Sequence, residues 1–289
     1  MPEGDTIFRT ARTLHRALAN AVVSGFQSTY AELTRAADET TFVGQRIERV
    51  ESRGKWVLMT FSSHDGKGAQ AGSERILATH MLMSGSWHIY RTGEAWQLPA
   101  DRVRIVIRTA EYEAVGFRVP VARVHTPETL RRDRKIPRAA EDVLADSFDA
   151  SAAADRLLKR TEDRLADALL NQRVMAGVGN VFKSEICFLL GMSPFRGIGT
   201  LSRMEAEAVI ATARRLLAAN VLEDSGDRMV TYRGRKRRTT HDSDPGASLW
   251  VYGRKGEACR RCGTAIERSI EGPDARSTYW CPECQPRME

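Results

Sequence analysis

Two groups of residues in this chain have types and spacing that amount to chemical statements. Toward one end, Cys259-x2-Cys262 is followed eighteen residues later by Cys281-x2-Cys284. Each Cys-x2-Cys pair turns two thiolates toward one point, and two pairs make the tetrahedral S₄ set that suits Zn²⁺. The spacing predicts a zinc ribbon with a structural Zn²⁺, because four thiolates leave no open position for a substrate. Redox pairs or two disulfides are the competing readings, and the absence of a visible secretion signal weighs against the disulfides. At the other end the chain opens Met1-Pro2-Glu3-Gly4. Removal of Met1 gives Pro2 a secondary α-amine, and α-amino groups titrate at ~7.7–8.0, so part of the population is neutral and nucleophilic near pH 7. A target for it is an electrophilic carbon such as a sugar C1′. Glu3 is placed to protonate the sugar ring oxygen as that carbon is attacked. Such an opening also occurs by chance, and its weight depends on the rest of the chain.

Other candidates are weaker one by one. Gly177-Val178-Gly179-Asn180 precedes a helical stretch beginning Val181-Phe182-Lys183. Two glycines permit close approach, and the helix N-terminus offers N–H groups to an anion. Asn180 stands where an N-cap or a phosphate donor would stand; a plain helix–helix turn explains the pattern as well. Arg276 lies between the cysteine pairs and is either a phosphate clamp or a solvated finger residue. Lys55, in Arg53-Gly54-Lys55-Trp56, is a turn lysine or a point charge for phosphate. His80 and Met83, in His80-Met81-Leu82-Met83-Ser84-Gly85, read by default as a packed histidine and a core methionine. Cys187 sits in an apolar run and reads as buried and inert. Arg233-Gly234-Arg235-Lys236-Arg237-Arg238 is the densest basic run, a solvated loop or a strip that trails along phosphates.

The elements that must position these residues follow from periodicity. Ile7, Ala11, Leu14 and Leu18 recur on one face of a helix over 5–19, with Asp5 as its expected cap. Residues 47–51, 56–61 and 103–107 are short, β-branched and partly alternating between glycine- and serine-rich breaks, which predicts a β-sandwich or barrel over the first 125 residues. Residues 126–148 are charged and broken by Pro127 and Pro137, and read as a linker. Helical spacing returns from 150 to 222, where Leu158, Leu165 and Leu169 share a face, as do Phe182, Ile186 and Leu189, and Val209, Ala213 and Leu216. Residues 224–248 read as a mobile basic loop within a helical domain spanning 149–248. The last segment, 249–289, is too small to hold itself by burial and needs its metal. The fold class is therefore α+β: an N-terminal β-sandwich with an N-terminal helix, a helical domain and a zinc ribbon. With 289 residues the chain has room for such a set of domains. Its net charge of +7 and pI near 9.4 suit a polyanionic partner, although solubility alone accounts for them too. No apolar run is long enough to span a membrane, residues 1–20 do not resemble a signal peptide, and the cytoplasm is the expected compartment.

Taken in chain order, these motifs resemble the formamidopyrimidine-DNA glycosylase/endonuclease VIII family. Met1-Pro2-Glu3-Gly4 is similar to its N-terminal catalytic segment, in the endonuclease VIII form. Arg53-Gly54-Lys55 resembles its lysine loop. Leu170-Asn171-Gln172 through Gly177-Val178-Gly179-Asn180-Val181 to Ser184-Glu185 resembles its helix–two-turn–helix element, and Val251-Tyr252-Gly253-Arg254 the entry to its finger. The resemblance implies a bifunctional DNA glycosylase and abasic-site lyase of base-excision repair. Its partner is double-stranded DNA with a damaged base or abasic site, and it acts as a monomer without a membrane. It implies Pro2, Glu3 and Lys55 as catalytic residues, and Asn180 and Arg276 as phosphate contacts. His80-Met81-Leu82-Met83-Ser84-Gly85 resembles the purine-specific branch, and Met83 falls at the position of its intercalating methionine. Two departures bear on function, the first on the efficiency of the elimination steps and the second on the substrate. Asp5-Thr6 stands where the family commonly has Pro-Glu, and the Asp-Pro-Arg-Arg-Phe-Gly loop of the purine-specific branch is absent between 91 and 125. The expectation is an enzyme for oxidised pyrimidines. The alternatives are a purine glycosylase of the 8-oxoguanine type or a non-catalytic reader of damaged DNA.

Overall fold

The structure is a computed structural model that describes residues 2–33, 42–63, 74–221, 239–240 and 248–287. The chain divides into two compact units. One holds Pro2 and Thr6–Arg138; the other holds Glu3–Asp5, Ala139–Glu223 and the chain from Arg235 onward. The basic run at Arg233–Arg238, and the loop around it, lie outside the described residues apart from Thr239, Thr240 and Ser248.

The first unit begins with helix α1 (Gly4–Leu18), whose first turn is counted with the second unit. Asp5 is the second residue of this helix and is buried, so it lies inside the first turn and not at the flanking position expected of it. Eight strands follow: β1 (Gly25–Ser28), β2 (Gln45–Arg53), β3 (Trp56–Ser63), β4 (Arg75–His80), β5 (Ser86–Arg91), β6 (Val103–Arg108), β7 (Tyr112–Phe117) and β8 (Val121–His125). They form two antiparallel four-stranded sheets, ordered β2-β3-β4-β8 and β1-β6-β7-β5. Strand alternation explains why both faces are apolar. Val57, Met59, Phe61 and Leu77 point into one core with Ile105, Ile107 and Ala114 of the other sheet and with Ile7, Ala11, Leu14 and Leu18 of α1. Trp56, Leu58, Ile76 and Ala78 face the opposite way.

That opposite face corrects the reading of residues 126–148 as a plain linker. Helix α2 (Pro127–Arg132) lies within them, closed by a capping box between Thr126 and Thr129 with Pro127 in its first turn. Leu130, together with Ile136, covers the outer face of the β2-β3-β4-β8 sheet. Two apolar residues among many charges suffice for this, so the stretch looks like a linker in composition alone.

The second unit is helical: α3 (Ala150–Leu158), α4 (Leu165–Leu170), α5 (Asn180–Leu189) and α6 (Arg203–Ala219). Asp149 caps α3 through the N–H of Ala152, and Ser202 with Glu205 forms the capping box of α6. Leu165, Leu169, Phe182, Ile186, Val209, Ala213 and Leu216 join one core, as their helical spacing requires. The chain ends in a hairpin of β9 (Glu267–Glu271) and β10 (Arg276–Trp280). Val251, Ile266, Cys259 and Cys281 pack there against Phe188 of α5. Among the described residues no helix is long and apolar enough to cross a membrane.

Candidate active site

Glu3 is fully buried, and its carboxylate caps the N-terminus of α5 from a distant part of the chain. Oε1 accepts from the backbone N–H of Val181 at 2.9 Å, and Oε2 accepts from Gly179 at 3.0 Å and Phe182 at 3.3 Å. An α-helix leaves its first N–H groups without intrahelical partners, and an anion there also meets the positive end of the helix dipole. The N-cap residue is therefore Gly179, which makes no side-chain cap bond, and Asn180 is the first helical residue. Of the two roles the sequence left open for Asn180, this removes the N-cap and leaves the phosphate donor.

Glycine is required at two positions in the turn just before Asn180. A Cβ at Gly179 would lie 2.5–2.7 Å from the Cδ, Cγ and Oε1 of Glu3, so any side chain would displace the carboxylate. Gly177 has φ +106°, and its carbonyl accepts from the N–H of Gly4 at 2.8 Å, which pins the segment next to Glu3. Pro2, one peptide bond before Glu3, is buried. Met1 lies outside the described residues.

Residues 181–188 of α5 are all buried, although three of them are polar or charged. Lys183, 1% exposed, donates from Nζ to the Ser277 carbonyl at 2.9 Å, to Thr278 Oγ1 at 2.8 Å and to Asn180 Oδ1 at 3.5 Å. Burial pulls its ammonium down to about 8, with Arg276 acting in the same direction and Cys187, Asp167 and Glu3 opposing. Asn180 and the strand that starts at Arg276 are thus tied to one side chain, and Arg276 itself is exposed. Glu185 accepts from the N–H groups of Trp250, Val251 and Tyr252, each at 2.9 Å, and from the Thr239 hydroxyl. The entry to the finger is therefore fastened to α5 through a fully satisfied carboxylate. The sequence reading assigned no role to Lys183 or Glu185. The available signal was a pair of charges inside a mostly apolar helix, since such groups are rarely buried without partners. Cys187 is buried as expected, and its thiol is pushed up to about 12 by burial.

In the first unit, Lys55 lies between β2 and β3, and Trp56 pairs with His80 across β3–β4. The Trp56 and His80 rings meet edge to face at 5.1 Å. Burial, aided by the Lys55 charge, lowers His80 to about 4, so its imidazole is neutral at pH 7. His80 Nδ1 accepts from the N–H of Leu82 at 3.1 Å, which supports Leu82 at φ +43°. Met83 follows in the same turn and is 69% exposed, outside the core where its residue type alone would put it.

The four finger cysteines come together, with all four Sγ atoms within 4.8 Å of one another. Cys259–Cys284 is 4.0 Å and Cys262–Cys281 is 3.4 Å. A tetrahedron with ~2.3 Å zinc–sulfur bonds has edges of about 3.8 Å, so the donor set and its spacing fit one Zn²⁺. Bound there, the metal supplies the folding energy that a segment of this size lacks.

Comparison with known proteins agrees with this architecture along the chain. Residues 1–120 match the formamidopyrimidine-DNA glycosylase N-terminal domain, 139–231 the formamidopyrimidine-DNA glycosylase H2TH domain, and 256–287 the zinc finger found in FPG and IleRS. The chain is 36% identical to "Probable endonuclease 8 2" of Streptomyces coelicolor, over 99% of this chain and 94% of that one. It is 37% identical to "DNA-(apurinic or apyrimidinic site) lyase Nei2" of Mycolicibacterium smegmatis, over 99% of both chains. Among solved structures it is similar to the Lactococcus lactis formamidopyrimidine-DNA glycosylase bound to DNA containing an abasic site, with TM-score 0.75, 19% identity and coverage of 99% of this chain and 100% of that one. Domain order, zinc-site geometry and full-length similarity agree: the chain belongs to the formamidopyrimidine-DNA glycosylase/endonuclease VIII family.

Proposed function

We propose that this chain is a bifunctional DNA glycosylase and abasic-site lyase of base-excision repair, acting on oxidised bases and on oxidised pyrimidines in particular. The observation that carries this reading is the Glu3 carboxylate, adjacent in sequence to Pro2 and held by three backbone N–H groups at the start of the helix that presents Asn180. A carboxylate offers about four lone-pair sites, and three are occupied here. The remaining site, on Oε1, is the one left to exchange a proton with the substrate. Family membership and the names of the relatives support the same reading.

The damaged nucleotide leaves the base stack before reaction. With Met1 removed, the Pro2 nitrogen bonds to C1′ and the glycosidic electrons depart with the base. Glu3 takes the proton that the attacking nitrogen gives up and passes it to the ring oxygen, the C1′–O4′ bond opens, and the nitrogen lone pair forms an iminium. This cation acidifies C2′, whose proton is lost as the 3′ phosphate departs; a further proton loss expels the 5′ phosphate. Lys55, Asn180 and Arg276 hold the phosphates, and Met83 enters the space the nucleotide vacates. The partner is double-stranded DNA met by a monomer, and the compartment is the cytoplasm.

The test is borohydride trapping on a duplex with one abasic site. A covalent protein–DNA band is expected, weakened in Pro2→Gly, which keeps a primary amine, and lost when the N-terminus is blocked. If DNA binds and intact mass shows Met1 removed, yet no band forms, the chain is a reader of damage without the chemistry. The relatives' names, endonuclease 8 and Nei2, support the endonuclease VIII side of the family and with it the expectation of oxidised pyrimidines, whereas the segment around Met83, which is exposed, resembles the purine branch. Thymine glycol duplexes should be cut faster than 8-oxoguanine opposite cytosine; the reverse order would overturn the substrate assignment.

A further inference from the structure

Lys183 is a buried charge for which the chemistry above has no use. Taking an ammonium out of water carries a large desolvation penalty that its partners must repay, and an apolar side chain of the same volume often packs there at no loss. Its three N–H donors are all directed: two to β10, at Ser277 and Thr278, and one to the side chain of Asn180, one helical turn away on the same face.

The direction of the last bond has a consequence for Asn180. An ammonium only donates, so the amide atom facing it must be the oxygen. The NH₂ of Asn180 is then turned away from Nζ, and among the described residues nothing accepts from it. An Asn amide free to rotate would present a repelling oxygen to a phosphate as readily as an attracting NH₂. The bonds to Ser277 and Thr278 fix the strand immediately after Arg276 at the same time.

We propose that Lys183 is the positioning residue of the phosphate clamp: it orients the Asn180 amide with its donors outward. The proposal rests on Asn180 and Arg276 contacting phosphate, as in the function proposed above. Lys183 itself does not touch the DNA.

The experiment measures binding of the full zinc-loaded chain to a duplex with a tetrahydrofuran abasic analogue, across salt concentrations. The clamp reading is tested first. Asn180→Ala and Arg276→Ala should each weaken binding about tenfold, the range for a hydrogen bond to a charged group, and Arg276→Ala should reduce the salt slope by about one. If neither variant loses affinity, the clamp reading fails, whatever Lys183 does. Given the clamp, Lys183→Met should weaken binding about tenfold with an unchanged salt slope and an unchanged zinc content. In the Asn180→Ala background it should cost less than about threefold more, because the residue it orients is already gone. Lys183→Arg should restore most of the affinity. A loss that is fully additive with Asn180→Ala, or a salt slope reduced by a full unit, would overturn the proposal, the second result marking Lys183 as a direct phosphate contact. If Lys183→Met does not fold, Thr278→Val carries the test. It removes one anchor of the ammonium, and its loss of affinity must vanish in the Asn180→Ala background or the proposal fails.

Discussion

Glu3→Gln separates the helix cap that the structure gives this carboxylate from the acid role proposed for it. Oε2 serves the N–H groups of Gly179 and Phe182, and Oε1 serves Val181. A glutamine keeps one acceptor oxygen. In its better orientation that oxygen retains the Gly179 and Phe182 pair, and the NH₂ is left against the Val181 N–H. The loss is one charge-assisted bond, about 1.5–3 kcal/mol, and the attraction of an anion to the helix N-terminus, about 0.3–2 kcal/mol. These overlap, so the variant should be less stable by about 2–4 kcal/mol, or roughly 4–16 °C in Tm at 2–4 °C per kcal/mol. Urea melts give the stability, and excision with abasic-duplex binding, both measured well below the melting range, gives the function. Base removal should be lost while binding is retained. Wild-type stability would refute the capping argument. Surviving excision would refute the acid role, and equal losses of excision and binding would mean that the carboxylate acts through the fold alone.

Gly179→Ala should lower stability by at least about 2 kcal/mol and reduce excision with it, because the new Cβ occupies the space of the Glu3 carboxylate. A variant that melts like the parent and excises normally would show that the carboxylate can move aside at no cost. Stripping zinc with a strong chelator should release one metal per chain, unfold the segment around β9 and β10, and abolish duplex binding, with recovery on zinc addition. Proteolysis of that segment is the readout, and unchanged resistance without metal would contradict the structural role. His80 supplies a pH prediction. Its folded value, about 4, lies below the unfolded value near 6.5, so the unfolded chain binds more protons between them. Stability should therefore fall as pH drops from about 6.5 to 4, and His80→Gln should flatten that part of the profile. An identical slope in the variant would remove His80 as its source.

The elements and their order were legible in the sequence because each rests on local periodicity. Ile7, Ala11, Leu14 and Leu18 could only face one way on a helix, and the paired Cys-x2-Cys spacing specifies a metal geometry without reference to the rest of the chain. Glu3 was legible as a chemical candidate from its position beside Pro2. What Glu3 touches was not. Its partners lie 176 to 179 residues away, and they are backbone N–H groups, which every residue type presents alike. The same holds for Lys183 and Glu185, whose meaning depends on Ser277, Thr278 and residues 250–252 being brought to α5. It holds also for residues 126–138, where Leu130 and Ile136 are apolar residues in a charged stretch until a sheet face needs covering. Sequence fixes side-chain chemistry and short-range spacing. Only tertiary contact decides which backbone donors are left unpaired, and hence which buried charges have a partner to meet.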